Sequence, residues 1–364
     1  MAGAVNTAEG NAVLTAANEV TIATASDIDG TLTVTSSGTG ADADVTISGA
    51  LTVDNDVTVT AGSDVSATAL TTINAGDISI TATNDVSVNV GGAAITATAG
   101  SVTIASGSTT GLDVTFNAAA DAISAANDVT ITGDDVKVGT ITSTKAGDVT
   151  LTATNDVTTL GNVTNNATSG DISITGGGDV TVTAGTTIDA DNDLTITASG
   201  GGDVVLNSGI LNSSAAGNIT LTGGQIDGTG AITATDGNVV LHATNDSLTS
   251  TLTGTIESTT GSVSTVGGTY AVTRVDANAG GVTIAGDASG TFATVNANAS
   301  AVRLTTSGNV TMTTVDTEIV AASGTGDYAL GTVTSSTSAL VQITTSTGDD
   351  SVTLNAGADK YIVN

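Results

Sequence analysis

The chain contains no cysteine, no proline and no tryptophan, and aromatic residues make up only 1% of it. Globular cores draw much of their buried area from Phe, Trp, Tyr and Leu, so here Val, Ile, Ala and Thr must fill the interior. Proline normally supplies about 5% of a chain. It carries no backbone donor and is kept out of continuous β-ladders, so its absence fits a backbone that pairs almost throughout. The absence of cysteine leaves the redox compartment open. Basic residues are scarce as well: 5 Lys and Arg stand against 36 Asp and Glu, a formal net charge of −31. Phosphate binding needs clustered Lys and Arg, so nucleic acid is excluded as a partner. An anionic membrane surface is disfavoured for the same reason. No run is apolar enough to span a bilayer, which argues against membrane insertion. The opening Met1-Ala-Gly-Ala-Val lacks the basic and apolar regions of a secretory leader.

What the chain does have is alternation. Disordered chains are also poor in aromatics, but they lack this density of β-branched residues in alternating order. The stretch from Gly147 to Leu160, GDVTLTATNDVTTL, sets Val149 and Leu151 on one side and Thr150 and Thr152 on the other. Period-two alternation is the mark of a half-buried strand. The Asn155-Asp156 pair that follows is turn chemistry. Alone, the stretch could be a hairpin. Related phrases recur from Gly76 (GDISITATNDVSV) and from Asn238 (NVVLHATNDSLT).

The recurrence has a period. One series of strand starts runs Val57, Ile78, Val102, Val129, Val149, Ile172, Leu194, Ile219, Val239, Val263, Val282 and Val302, spaced 19 to 27 residues apart. A second runs Val65, Val86, Val136, Val157, Val180 and Val204. A weaker third comprises Ile95, Ile123, Ile141, Val163, Ile188, Ile210 and Ile226. Three short strands per twenty-odd residues is the signature of a solenoid. The expected fold is all-β: a right-handed parallel β-helix (β-solenoid) with about 20–24 residues per three-strand coil. At roughly 22 residues per coil the chain makes about 16 coils, a rod on the order of 75 Å long. Such coils are stabilised by stacking on their neighbours, since one coil cannot bury its own core. A string of β-sandwich domains would need about 100 residues each and usually a large buried aromatic, which argues against that alternative. Residues 1–56 read as a less regular start, 57–250 as the most regular repeats and 251–364 as looser ones within a single solenoid. Most of the bulky or basic residues fall in the last part: Tyr270, Arg274, Phe292, Arg303, Tyr328, Lys360 and Tyr361. Neither end reads as an amphipathic helix or polar cap. Exposed sheet edges invite pairing, so the expectation is either a piece of a longer parent chain or a subunit that stacks end to end into filaments.

Aspartate is the main candidate for chemistry. Asp156, Asp179 and Asp203 occupy matching corners, as do Asp56 and Asp77, Asp64 and Asp85, and Asp148 and Asp171. Stacked in register, like charges repel, and a hard cation held by oxygen ligands would relieve that. The clusters Asp54-Asn55-Asp56, Asp189-Ala190-Asp191-Asn192-Asp193 and Asp349-Asp350 make Asp54, Asp56, Asp189, Asp191, Asp193, Asp349 and Asp350 the candidate calcium ligands. The competing role is plain turn-forming and solubility. No cofactor is required; calcium is the candidate. Outward Thr-x-Thr pairs such as Thr130/Thr132 and Thr150/Thr152 suit a solvated strand face, and in ladders they could order water. His242, the one histidine, sits at an outward position as a substitute for threonine. Arg274 and Arg303 read as partners of nearby Asp. Gly176-Gly177-Gly178 and Gly200-Gly201-Gly202 precede strands and read as corners. No nucleophile–base pair, metal triad or phosphate loop stands out, so the chain reads as a non-enzyme. Asn-x-Ser/Thr motifs at Asn162, Asn166, Asn212, Asn218, Asn245, Asn298 and Asn309 are no more than this composition brings by chance.

The phrases GDVTLTA, NDVTITG and GDISITGGGDVTVTAG resemble the β-helical repeats of large bacterial surface exoproteins, the filamentous-haemagglutinin-like and autotransporter-type adhesins. The resemblance implies secretion, display at the cell surface, and adhesive or matrix-forming roles. The phrase Thr347 to Tyr361 (TGDDSVTLNAGADKY) also resembles a degenerate calcium-binding nonapeptide repeat. The expected function is therefore an extracellular structural protein, a β-solenoid filament subunit or adhesin stalk that self-associates by stacking. The alternative is a solenoid that binds a ligand, either a glycan of a host or cell surface or ice.

Overall fold

The alternation of β-branched and hydroxyl residues produces what it should. In the computed structural model every regular element among the described residues is a β-strand. The structure describes residues 6–7, 10–68, 73–89, 91, 94–107, 111–145, 147–166, 169–214, 216–334, 340–343, 352–354 and 360–363. The chain divides into two compact units, Met1–Thr187 and Ile188–Asn364. Each is a parallel β-solenoid, and between them they hold about 15 turns.

In the first unit each turn supplies one strand to each of three sheets. The long face stacks Ala12–Ala16, Leu32–Ser36, Val57–Ala61, Ile78–Ala82, Val102–Ala105, Val129–Gly133, Val149–Ala153 and Ile172–Gly176. A second face stacks three-residue strands, among them Val136–Val138, Val157–Thr159 and Val180–Val182. A third includes Ala122–Ala125, Thr140–Ser143 and Val163–Asn165. All of these pairings are parallel. The fork left open by GDVTLTATNDVTTL is thereby resolved: Val149–Ala153 pairs with Val129–Gly133 and Ile172–Gly176, while Val157–Thr159 pairs with strands of its own face. The stretch is two sides of one turn, with Asn155-Asp156 at the corner.

Period two sorts the side chains. On the long face Val149, Leu151 and Ala153 point inward and are buried, as are Val129 and Ile131 before them and Ile172 and Ile174 after them. Identical inward positions stack on one another, so each turn's apolar side chains are covered by the turns on either side. Burying such a side chain contributes roughly 1.5–3 kcal/mol. Several polar groups inside this core are bonded to main chain at the corners: Ser143 Oγ lies within hydrogen-bond distance of Asn127 O and Gly147 O, either of which can take its proton, and Ser213 Oγ likewise of Asn192 O and Gly217 O. Two buried hydroxyls are not bonded. The hydroxyls of Thr159 and Thr265 are buried and have no hydrogen-bond partner in the protein. Thr159 lies between Val138 and Val182 in its column. An unsatisfied buried hydroxyl costs about 1–3 kcal/mol, so Thr159→Val is expected to raise the unfolding free energy by about 1–2 kcal/mol, measured by denaturant titration.

The strand starts of the long-face series coincide with those read from periodicity from Val57 through Val282. Val302 falls inside the longer strand Ser289–Thr306. Three details differ. The second face has a further strand at Val114–Phe116, in register between Val86 and Val136, at the gap left in that series. Ile226 belongs to the second face, stacked on Val204, and Ile232 takes the third-face position. Ile210 points outward and is 42% exposed, because Leu211 takes the inward place.

In the second unit the strands lengthen after about residue 249, as Thr249–Ser258, Thr269–Ala277, Ser289–Thr306 and Val310–Ala322. Here the chain turns corners through irregularities within continuous strands, with register shifts between Leu252 and Thr255 and between Ala297 and Ala301. The looser spelling of this region reflects the loss of corners inside these long strands, while parallel stacking continues and the corner at Asn309, whose Oδ1 accepts Asp327 N–H, is kept. The core also takes larger side chains than its composition suggests: Phe116, Tyr270, Phe292 and Tyr328 are all buried.

Candidate functional site

The corners carry the least ordinary chemistry of the molecule. At the corner after the long face, seven aspartates stand in seven successive turns of the first unit: Asp44, Asp64, Asp85, Asp113, Asp135, Asp156 and Asp179. In each step Oδ1 of one aspartate accepts the main-chain N–H of the next, at 2.7 to 3.2 Å. The following residue returns a bond: Val65 N donates to Asp85 O, Val86 N to Asp113 O and Val136 N to Asp156 O. Adjacent turns are thus clipped twice at each corner. The second unit repeats the step where Asp203 Oδ1 accepts Gln225 N.

The corner before the long face is built alike with a mixed set. Asn11 accepts Thr31 N, Asp56 accepts Asp77 N, Asp77 accepts Ser101 N, Asp128 accepts Asp148 N, and Asp148 accepts Asp171 N. In the second unit Asp193 accepts Asn218 N, Asn218 accepts Asn238 N and Asn238 accepts Ser262 N. Asn and Asp share these positions because the bond needs only a short side-chain oxygen acceptor. Glycines beside the corners allow the turns to approach: a Cβ on Gly147 would lie 2.0 Å from the carbonyl carbon of Asn127, and one on Gly177 2.0 Å from Thr154 O. Gly177-Gly178 lie at a corner, as their position before a strand suggests, while Gly176 ends the strand before it.

Magnitudes decide what these columns do. At about 4.8 Å between turns, two carboxylates repel by about 0.9 kcal/mol in water-like surroundings. A hydrogen bond to a charged group contributes about 1.5–3 kcal/mol. The bond outweighs the repulsion from one neighbour and roughly balances that from two. Asp113 shows the strain of the column. Burial pushes its carboxyl above the ordinary aspartate range, and the charges of Asp135, Asp85 and Asp134 add to this, while the Asp135 N–H opposes it. A raised carboxyl binds more protons folded than unfolded, so its ionisation lowers stability as pH rises through the acid range. Asp134, off the column, is held below the ordinary range by the Thr154 hydroxyl at 2.6 Å and the Gly111 N–H at 2.5 Å. Its contribution has the opposite sign and is lost on acidification.

Of the candidate calcium ligands, Asp56 and Asp193 belong to the corner column and accept the bonds given above. Asp189 Oδ1 accepts the Ser214 hydroxyl at 3.1 Å. Asp54 is exposed and Asp191 half-buried, and Asp349 and Asp350 lie outside the described residues. Among the described residues no three or more of these side chains converge as a metal-binding group. The carboxylates form lines along the stack, and that spacing sets each against main chain before any other carboxylate. His242 does occupy a threonine position, in register with Thr222. Arg274 Nε donates to Asp276 Oδ2 at 2.6 Å, while Arg303 lies on a different face, beside Thr283 and Ala321. The two arginines are not brought together.

These features define a parallel β-solenoid repeat protein. Searches of protein families, of curated proteins and of solved structures found no match to the chain. No helix among the described residues is long and apolar enough to cross a membrane.

Proposed function

We propose that this chain is an extracellular structural protein, a β-solenoid filament subunit or adhesin stalk of the filamentous-haemagglutinin-like or autotransporter-type kind. The observation that supports this reading best is the double clip at the corners. Each turn is tied to the next by parallel ladders on its faces and by side-chain-to-main-chain bonds between them. Separating two turns therefore breaks many bonds at once, which is the property a load-bearing element needs. In this reading the chain is not an enzyme: Arg274 is engaged with Asp276, and His242 stands where its neighbour has threonine. The net charge of −31 keeps copies apart at low ionic strength and lets calcium bridge them.

Negative-stain microscopy with calcium and with a chelator tests the proposal. Long uniform filaments support stacking subunits, and isolated elongated particles support a stalk. Irregular aggregates in both conditions would sink both forms. Equal melting temperatures and equal particle lengths with and without calcium would remove the bridging role alone.

A further inference from the structure

The long face of the first unit presents more than a solvated strand surface. Its outward positions form two columns through eight turns. One runs Val13, Thr33, Thr58, Ser79, Thr103, Thr130, Thr150 and Ser173, the other Thr15, Thr35, Thr60, Thr81, Ala105, Thr132, Thr152 and Thr175. Fourteen of these sixteen side chains carry a hydroxyl, and none is charged. No hydroxyl among the fourteen is bonded to another group of the protein, whereas Thr83, Thr154 and Thr183 at the corners are. Acidic columns border the array on both edges.

Three kinds of surface could meet it. A second copy laid face to face would bring acidic borders into opposition, which disfavours it. A sugar polymer is normally gripped by exposed rings, and the rings of Phe116, Tyr270, Phe292 and Tyr328 are buried. The third surface is neutral and itself a lattice of hydrogen-bonding groups. Neighbouring turns place equivalent hydroxyls about 4.8 Å apart, and alternate residues place them about 6.6 Å apart along the strand. In tetrahedrally bonded water with O–H···O lengths of about 2.8 Å, next-nearest oxygens lie about 4.6 Å apart and the layer repeat is about 7.4 Å. Across eight turns the first mismatch accumulates to only about 1.4 Å, and the second arises once, between two columns.

We infer that this face binds the surface of ice, its hydroxyls taking lattice positions and its threonine methyls excluding liquid water between them. The inference goes beyond the structural role and does not depend on it. In the second unit the corresponding positions include Val240, His242, Val266 and Arg303, so the array there is broken.

The test is ice shaping and thermal hysteresis measured on the full chain, with Thr132→Lys/Thr152→Lys as the altered face and Thr158→Lys as a control on the neighbouring face. The wild-type chain and the control are expected to facet ice crystals and to open a gap between melting and freezing points. The double variant should lose most of that gap while keeping its circular dichroism and melting temperature. Round crystals and no gap for the wild-type chain would overturn the inference, as would a gap that the double variant retains. Concentration-dependent self-association that only the double variant abolishes, without ice shaping, would assign the face to a second copy instead.

Discussion

Replacing Asp85, Asp113, Asp135 and Asp156 together by alanine is expected to lower the unfolding free energy by about 2–8 kcal/mol at about 1 M salt. Each replacement removes the acceptor for one main-chain N–H of the next turn. The nearest measured analogy is a helix N-cap, where a short polar side chain also accepts a main-chain N–H and its loss costs about 0.5–2 kcal/mol. High salt matters because the Debye length falls to about 3 Å at 1 M, which screens the carboxylate repulsion and leaves the bonds. The matched asparagine block separates the two terms. Asparagine keeps an oxygen acceptor and removes the charge, so at low salt it sheds repulsion along the column and should equal or exceed the wild-type chain in stability. At about 1 M salt, where repulsion is screened, it should fall below wild type by up to about 1 kcal/mol per site, the excess of a charged over a neutral hydrogen bond. Adjacent substitutions in one column will not be strictly additive, but the order of the three proteins does not rest on additivity. Denaturant titrations at the two salt concentrations give it. An alanine block as stable as the wild-type chain would mean that the corner bonds contribute nothing.

Much of this is legible in the sequence. Strand starts such as Val129, Val149 and Ile172 could be placed because a buried β-branched residue after a Gly-Asp or Asn-Asp corner is a local signal repeated many times. The stacking of Asp56 on Asp77 and of Asp156 on Asp179 followed from the same spacing. Its meaning did not. Side-chain spacing shows that carboxylates align, and alignment alone suggests repulsion relieved by a cation. The N–H that each carboxylate accepts belongs to the backbone, which has no spelling, and it became visible only once the turns were stacked. Ile210 is misplaced because period two gives alternation without saying which phase is inward, and Ile226, itself inward, because spacing does not say which face a strand joins. Both are fixed by the neighbouring turns, where Leu211 stacks with Ile232 and Ile226 with Val204. Val114–Phe116 escapes the spacing because eight residues separate it from Val102–Ala105, against three between Val149–Ala153 and Val157–Thr159. The threonine array was legible as pairs, but its eight-turn register and its acidic borders required the pairing of strands.

Tyr270 tests how the wider part of the second unit is held. Its ring is buried beside Phe292, with centroids 6.4 Å apart. Its hydroxyl accepts Ala243 N–H at 2.9 Å and lies 3.1 Å from the carbonyl oxygens of Leu241 and Val266, either of which can take its proton. It thereby ties the end of the strand Val239–Ala243, where Leu241 and Ala243 are themselves buried, to the end of the strand Val263–Val266. Burial raises the phenol above its ordinary range despite the two main-chain groups that oppose the shift, so the hydroxyl remains a donor through neutral and moderately alkaline pH. Tyr270→Phe keeps the ring and removes only the hydroxyl, leaving buried main-chain groups unsatisfied, for an expected loss of about 1–3 kcal/mol. Tyr270→Ala adds a cavity, and large-to-small aromatic changes cost about 3–5 kcal/mol. The difference between the variants isolates ring packing from the polar anchor. If Tyr270→Phe were as stable as the wild-type chain by denaturant titration, the hydroxyl would be replaceable, and packing alone would hold the strand in place. If it instead lost as much as Tyr270→Ala, the anchor would dominate, because a ring without its hydroxyl would then contribute no more than a cavity.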